Sequence, residues 1–133
     1  MNVVLDTSVM VSSLLNEKGS SAKILSLILD GNIKLIYDNR ILFEYIEVLS
    51  RKDFGYNIDM INNMIHFLRH EGTFIKAESL DVIFHDESNK KFYELYISGE
   101  ADYLITGNKK HFPADNAVLI PSEFIKIYDS YKP

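Results

Sequence analysis

Two spacings of apolar residues take turns along the chain. Short strand-like runs recur at 3–5, 34–37, 73–76, 103–106 and 118–120. Most are apolar and are followed at once by polar or turn residues, the pattern of buried strands in a parallel sheet. Between them the apolar positions fall at helical intervals. The stretch 22–29 is amphipathic, entered through Ser20-Ser21 as N-cap and closed by Gly31. Asn39 stands as the cap of a helix carrying Ile41, Leu42, Tyr45, Ile46, Val48 and Leu49. Residues 59–70 form another, with Ile61, Met64, Ile65 and Leu68 facing inward and Gly72 at its end. Residues 86–89 read as a loop running into a helix through Ser98, stopped by Gly99. Pro121-Ser122 open a last helix through Tyr128, with proline where its fixed φ suits a helix start.

Strands alternating with helices predict an α/β fold: a three-layer α/β/α domain around a mostly parallel central sheet of about five strands, with right-handed crossovers. No repeat, low-complexity tract or Pro/Gly-rich linker interrupts the pattern, so residues 1–133 read as one domain. In such sheets ligands bind beyond the carboxyl ends of the strands, where the strand order reverses. That directs attention to Asp6, to Asp38 and Asn39, and to 106–108.

Composition narrows the chemistry. The chain has no cysteine, which excludes disulfides and thiolate zinc sites and suits a reducing, cytoplasmic setting. It opens on Met-Asn-Val-Val-Leu-Asp without a basic segment followed by an apolar one, so no signal peptide is expected, and no apolar run is long enough for a membrane helix. The net charge of −5 argues against simple affinity for a phosphate backbone. It is compatible with a carboxylate site whose local sign is changed by bound divalent ions.

Several residues have two readings each. Asp6, in Asp6-Thr7-Ser8-Val9, is either a rigid carboxylate suited to Mg²⁺ or the N-cap of a following helix. Glu44 sits at the edge of the apolar stripe between Ile41 and Val48, as a boundary residue or as a group facing a cleft. Asp86, Glu87, Ser88 and Asn89 precede a helix and either cap it or bring oxygen ligands to the sheet's end. Asn108, in Thr106-Gly107-Asn108, is a turn residue or a ligand. Ser8 and Thr106 carry hydroxyls able to hydrogen-bond carboxylates or a bound water. Lys90, Lys91, Lys109 and Lys110 are candidates for phosphate contact or plain solvated charges. His66 and His70 lie four apart, but Phe67, Leu68 and Arg69 separate them without the glutamate of a metalloprotease helix, so they are read as a polar helix face.

Taken in order, four segments resemble the PIN-domain family. Val-Val-Leu-Asp-Thr-Ser-Val-Met-Val-Ser-Ser-Leu-Leu at 3–15 looks like its opening, a strand ending in Asp-Thr-Asn or Asp-Thr-Ser. Residues 37–51 resemble a second motif, a helix with one acidic residue at Glu44. Asp-Glu-Ser-Asn-Lys-Lys-Phe-Tyr-Glu at 86–94 resembles Asp-x-x-Asp-x-x-Phe-x-Glu, and residues 101–113 resemble a strand ending in Thr-Gly-Asp or Thr-Gly-Asn-x-x-His. The branch it is most similar to is that of toxin components of toxin–antitoxin systems.

The resemblance implies a Mg²⁺- or Mn²⁺-dependent ribonuclease. Asp6 would be the central metal ligand and Glu44 the second carboxylate. Asn89 stands where the third is usually aspartate, and Asn108 where many members carry a fourth. An amide oxygen brings no charge, so metal binding weakens unless Asp86 or Glu87 compensates. The partners implied are an RNA substrate, single-stranded by preference, and a small antitoxin protein. A homodimer is left open, and no membrane is expected. Two alternatives stay open: a non-catalytic PIN fold binding RNA or protein, and a metal-dependent phosphatase on a similar sheet.

Overall fold

The computed structural model describes residues 1–131. The last two residues, Lys132 and Pro133, lie outside that range. Five strands are all parallel: β1 (Asn2–Leu5), β2 (Lys34–Tyr37), β3 (Thr73–Phe74), β4 (Tyr103–Ile105) and β5 (Val118–Leu119). Among the described residues six α-helices accompany them: α1 (Thr7–Leu15), α2 (Ser20–Leu29), α3 (Asn39–Leu49), α4 (Ile58–Glu71), α5 (Lys90–Ser98) and α6 (Pro121–Tyr131). The result is the expected three-layer α/β/α architecture.

Across the sheet the strands run β3-β2-β1-β4-β5. The chain steps outward from β1 to β2 and β3, then returns so that β4 lies on the other side of β1. The strand order reverses between β1 and β4, so a crevice is expected at their carboxyl ends. Register fixes what stands there. Leu5 pairs with Ile105, and the Asp6 N–H donates to the Ile105 carbonyl at 2.9 Å. Asp6 and Thr106 are therefore the neighbouring residues that leave the two strands.

The core explains why these runs became strands. Val3, Val4, Leu35, Leu104 and Ile105 are fully inaccessible, covered on both faces as a parallel sheet requires. Helix α5 packs on β1, β2 and β4, whereas α1 packs on α2 and α3, and α2 on α6. Tyr45 of α3 is also fully buried, and its hydroxyl donates to the Leu5 carbonyl, tying α3 to the end of β1. Among the described residues no helix is long and apolar enough to cross a membrane.

Three local expectations are corrected. The helix that one reading of Asp6 places after it is α1, at 7–15. Thr7, Val9 and Val11 are β-branched, and the stretch offers no clean helical stripe. Asp38, not Asn39, caps α3: Asp38 keeps an extended backbone and its Oδ1 accepts the Ile41 N–H at 3.2 Å, while Asn39 is already helical. Gly19, not a serine, is the N-cap residue of α2. Ser20 and Ser21 lie in its first turn, where the Ser21 hydroxyl meets that of Ser12 across to α1 at 2.6 Å. Strand β3 is shorter than 73–76, although Ile75 adds one more bond by donating to the Tyr37 carbonyl.

Candidate active site

The capping reading of Asp6 is observed: it directly follows β1, is 7% exposed, and caps α1 through a long 3.5 Å bond from the Ser8 N–H to Oδ1. Its other oxygen accepts the Thr106 hydroxyl at 2.7 Å, from the end of β4. Thr106 is fully buried and its hydroxyl also accepts the Asn108 N–H at 3.1 Å, so the donor to Asp6 is itself held. The Ser8 hydroxyl faces the same turn and accepts the Gly107 N–H at 3.2 Å. A Cβ on Gly107 would come 3.1 Å from that hydroxyl, so the absence of a side chain lets the two turns close on each other.

Glu44 reaches from α3 to the first residue of α1 and to α5. Its Oε2 accepts the Thr7 hydroxyl, and its Oε1 lies 2.7 Å from the Lys91 ammonium. Thr7 follows Asp6 directly, so the two carboxylates approach the end of β1 from adjacent anchors. The charges of Asp6, Glu44 and Asp38 all reach the Tyr45 phenol beneath them. Burial first, and then these carboxylates, hold that phenol well above its ordinary pKa. Nearby, Asp38 and Glu94 are 6% and 5% exposed and share Arg40, which lies 2.8 Å from each. Glu94 also accepts the Leu80 N–H at 2.9 Å, pinning the segment that precedes α5.

The other expected site residues are arranged differently. Asn89 sits at the entrance of α5, partly buried, with no capping hydrogen bond from its side chain. Asp86 is exposed and accepts the Ser88 hydroxyl and N–H, which together hold its carboxyl below the usual range. Asn108 is exposed and committed to its own turn, accepting the Lys110 N–H and meeting His111 at 3.2 Å. Among the described residues no three of His, Asp or Glu form a ready metal cluster, so Asp86 does not complete one with Asp6 and Glu44. Three of the four candidate phosphate-binding lysines are paired within the chain: Lys90 with Glu87, Lys91 with Glu44 and Lys109 with Glu123. Lys110 is exposed, as are His66 and His70.

Sequence reasoning passed over Thr7, Arg40 and Glu94. Thr7 stands inside the Asp-Thr-Ser run, where Ser8 drew attention instead. Glu94 closes the third motif, but its partner Arg40 is 54 residues away, a pairing that sequence spacing does not reveal.

The donor set suits a hard cation in kind. It is all oxygen, with two carboxylates at one crevice, and Mg²⁺ is commonly held by one or two carboxylates plus waters and substrate phosphates rather than by a protein cage. The fit is in ligand type: Asp6 and Glu44 are oxygen donors of the right kind, and both Glu44 oxygens are engaged within the chain by Lys91 and Thr7. A family model described as the PIN domain matches residues 2–110, from β1 through β4 and the turn beyond it. No curated protein and no solved structure matches the chain. PIN domains are commonly nucleases, and the match takes in Asp6, Glu44, Asn89, Thr106 and Asn108 alike. On that extent, most of its length, the chain belongs to the PIN-domain family.

Proposed function

We propose that this chain is a divalent-metal-dependent ribonuclease, with Asp6 and Glu44 as the carboxylates that hold Mg²⁺ or Mn²⁺. The observation that carries this reading is the approach of these two acids at the reversal between β1 and β4, each steadied by a hydroxyl from a neighbouring anchor. Thr106 orients Asp6 and Thr7 orients Glu44, so neither carboxylate has to be ordered when a ligand arrives. The ion would supply charge that lowers the pKa of a water and offsets the negative charge growing on the phosphate. Asn89, at the entrance of α5, would add a neutral amide oxygen. The exposed Lys110 is the chain's candidate for positioning the phosphate backbone. An unstacked single strand suits an open crevice better than a duplex does.

Hydrolysis by water leaves the RNA 2′-hydroxyl unused. Products should therefore carry 5′-phosphate and 3′-hydroxyl ends, and EDTA should stop the reaction. Mapping the ends of cleaved RNA by mass spectrometry checks this, and 2′,3′-cyclic phosphates would reject it. Parallel assays on a phosphomonoester separate the phosphatase alternative.

Asn89→Asp tests the seat from its third side. One added carboxylate should tighten Mn²⁺ binding about tenfold, or about 1.4 kcal/mol, because repulsion from Asp6 and Glu44 offsets part of the Coulomb gain. Calorimetric titration reads the change, and unaltered affinity would make Asn89 a structural residue only.

The toxin role and the antitoxin partner rest on the resemblance of the four motifs. An antitoxin arginine entering the crevice would pair bidentately with its carboxylates. Growth arrest on expression, relieved by the product of an adjacent short reading frame, tests that role. A second reading, a catalytically impaired PIN fold that binds RNA or protein, is favoured by two observations: Lys91 holds Glu44, and amides stand at 89 and 108.

A further inference from the structure

We propose that Lys91 is a built-in counter-ion that takes the place of the divalent cation at Glu44 and must leave for the metal to bind. This rests on the reading of Asp6 and Glu44 as the metal seat.

Three observations bear on it. The first is occupancy. Lys91 Nζ lies 2.7 Å from Glu44 Oε1, and the Thr7 hydroxyl takes Oε2, so each oxygen of the second carboxylate has a partner. A cation arriving at Oε1 meets the ammonium's positive charge on the same oxygen, so its binding is opposed until the ammonium moves away. The second is placement. The two side chains are only 17% and 27% exposed, unlike the Arg51–Glu47 pair on the outer face of α3, where both side chains are more than half exposed. Lys91 also donates to the Ser88 carbonyl, and its ammonium is 5.0 Å from the centre of the Phe92 ring, within cation–π range. The ammonium is thus fixed from the α5 side as well as by Glu44. The third is charge balance. Position 89, two residues before Lys91, carries a neutral amide. With Asn89 there, Glu44 and Lys91 form a pair of cancelling charges, and the neighbouring Lys90 is matched by Glu87 at 4.0 Å. A metal arriving at Glu44 meets a compensated acid rather than an open one.

A plain structural clasp between α3 and α5 would share the geometry but not the consequence. A clasp stabilises the protein whether or not metal is present. A competing counter-ion stabilises the metal-free protein and opposes the metal.

The test is Mn²⁺ titration by calorimetry on the full chain, alongside thermal melts with and without Mn²⁺. The proteins are wild type, Lys91→Met and Lys91→Arg. Methionine keeps the apolar stem without the charge; arginine keeps the charge. Lys91→Met should bind Mn²⁺ about tenfold or more tighter than wild type. Its metal-free Tm should fall, and its Tm should rise further on adding Mn²⁺ than that of wild type. Lys91→Arg should stay within about threefold of wild-type affinity. Measurable and equal binding in wild type and Lys91→Met overturns the counter-ion role and leaves the metal seat standing. No binding in either protein at millimolar Mn²⁺ overturns both.

Discussion

Asp6→Asn protein should lose RNA cleavage by at least about 10²-fold and keep its fold. The loss follows from charge. Metal and electrostatic stabilisation of a phosphate transition state is worth several kcal/mol, and each 1.36 kcal/mol is about tenfold in rate. An amide at Asp6 removes half the carboxylate charge of the proposed seat. The fold survives because the roles Asp6 plays locally are ones asparagine can fill. Asparagine is as good an N-cap as aspartate, and its amide oxygen can accept the Thr106 hydroxyl. Gel assays on purified protein read the first effect, and circular dichroism with thermal melts the second. Full cleavage by well-folded Asp6→Asn protein would remove Asp6 from the active site.

Arg40→Met should produce the largest loss of stability. It strips the shared cation from two buried acids, Asp38 and Glu94, while the rest of each environment stays in place. Removing one partner of a buried ion pair costs about 3–5 kcal/mol. The Arg40 side chain is 45% exposed, so water screens part of this, and about 2–3 kcal/mol is expected. For a chain of this size that lowers Tm by roughly 5–15 °C.

The pH dependence has a definite sign. Burial alone would raise the Glu94 pKa, but the Arg40 and Leu80 hydrogen bonds outweigh it and hold the carboxyl below its usual range. A depressed carboxyl contributes stability that is present above its unfolded pKa, about 4.3, and is lost as pH falls through the lower folded value. Wild type and Arg40→Met should therefore differ most near neutrality and converge in acid. Urea melts at pH 7 and pH 3 show this directly. A gap that widens at pH 3 would contradict the assignment.

What the sequence reveals depends on range. Buried strands are visible because a parallel sheet demands unbroken apolar runs. The run at 34–37 became β2 without a shift. Helix ends are less legible because adjacent residues compete for the cap. Asp38 and Asn39 are both good caps, and the choice falls to the backbone leaving β2. Helix α1 was legible only through the capping reading of Asp6, because its β-branched residues favour strands when read locally, and its stability comes from packing on α2 and α3. Asp6 and Thr106 could be nominated because both close strands, and strand ends are where α/β sites form. That Thr7 rather than Ser8 holds Glu44, or that Lys91 reaches it from 47 residues away, follows from the crossover that brings α5 back beside α3. No local pattern encodes that juxtaposition. The same holds for Asp86 and Asn108, whose side chains turned out to serve their own turns.

The most direct measurement is diffraction from crystals of the wild-type protein soaked in Mn²⁺, with data collected at the manganese edge. The expected result is an anomalous peak about 2.1 Å from carboxylate oxygens of both Asp6 and Glu44, with the Lys91 ammonium moved off Glu44. Lys91 still bound to Glu44 at millimolar Mn²⁺, with no peak beside Asp6, would contradict it.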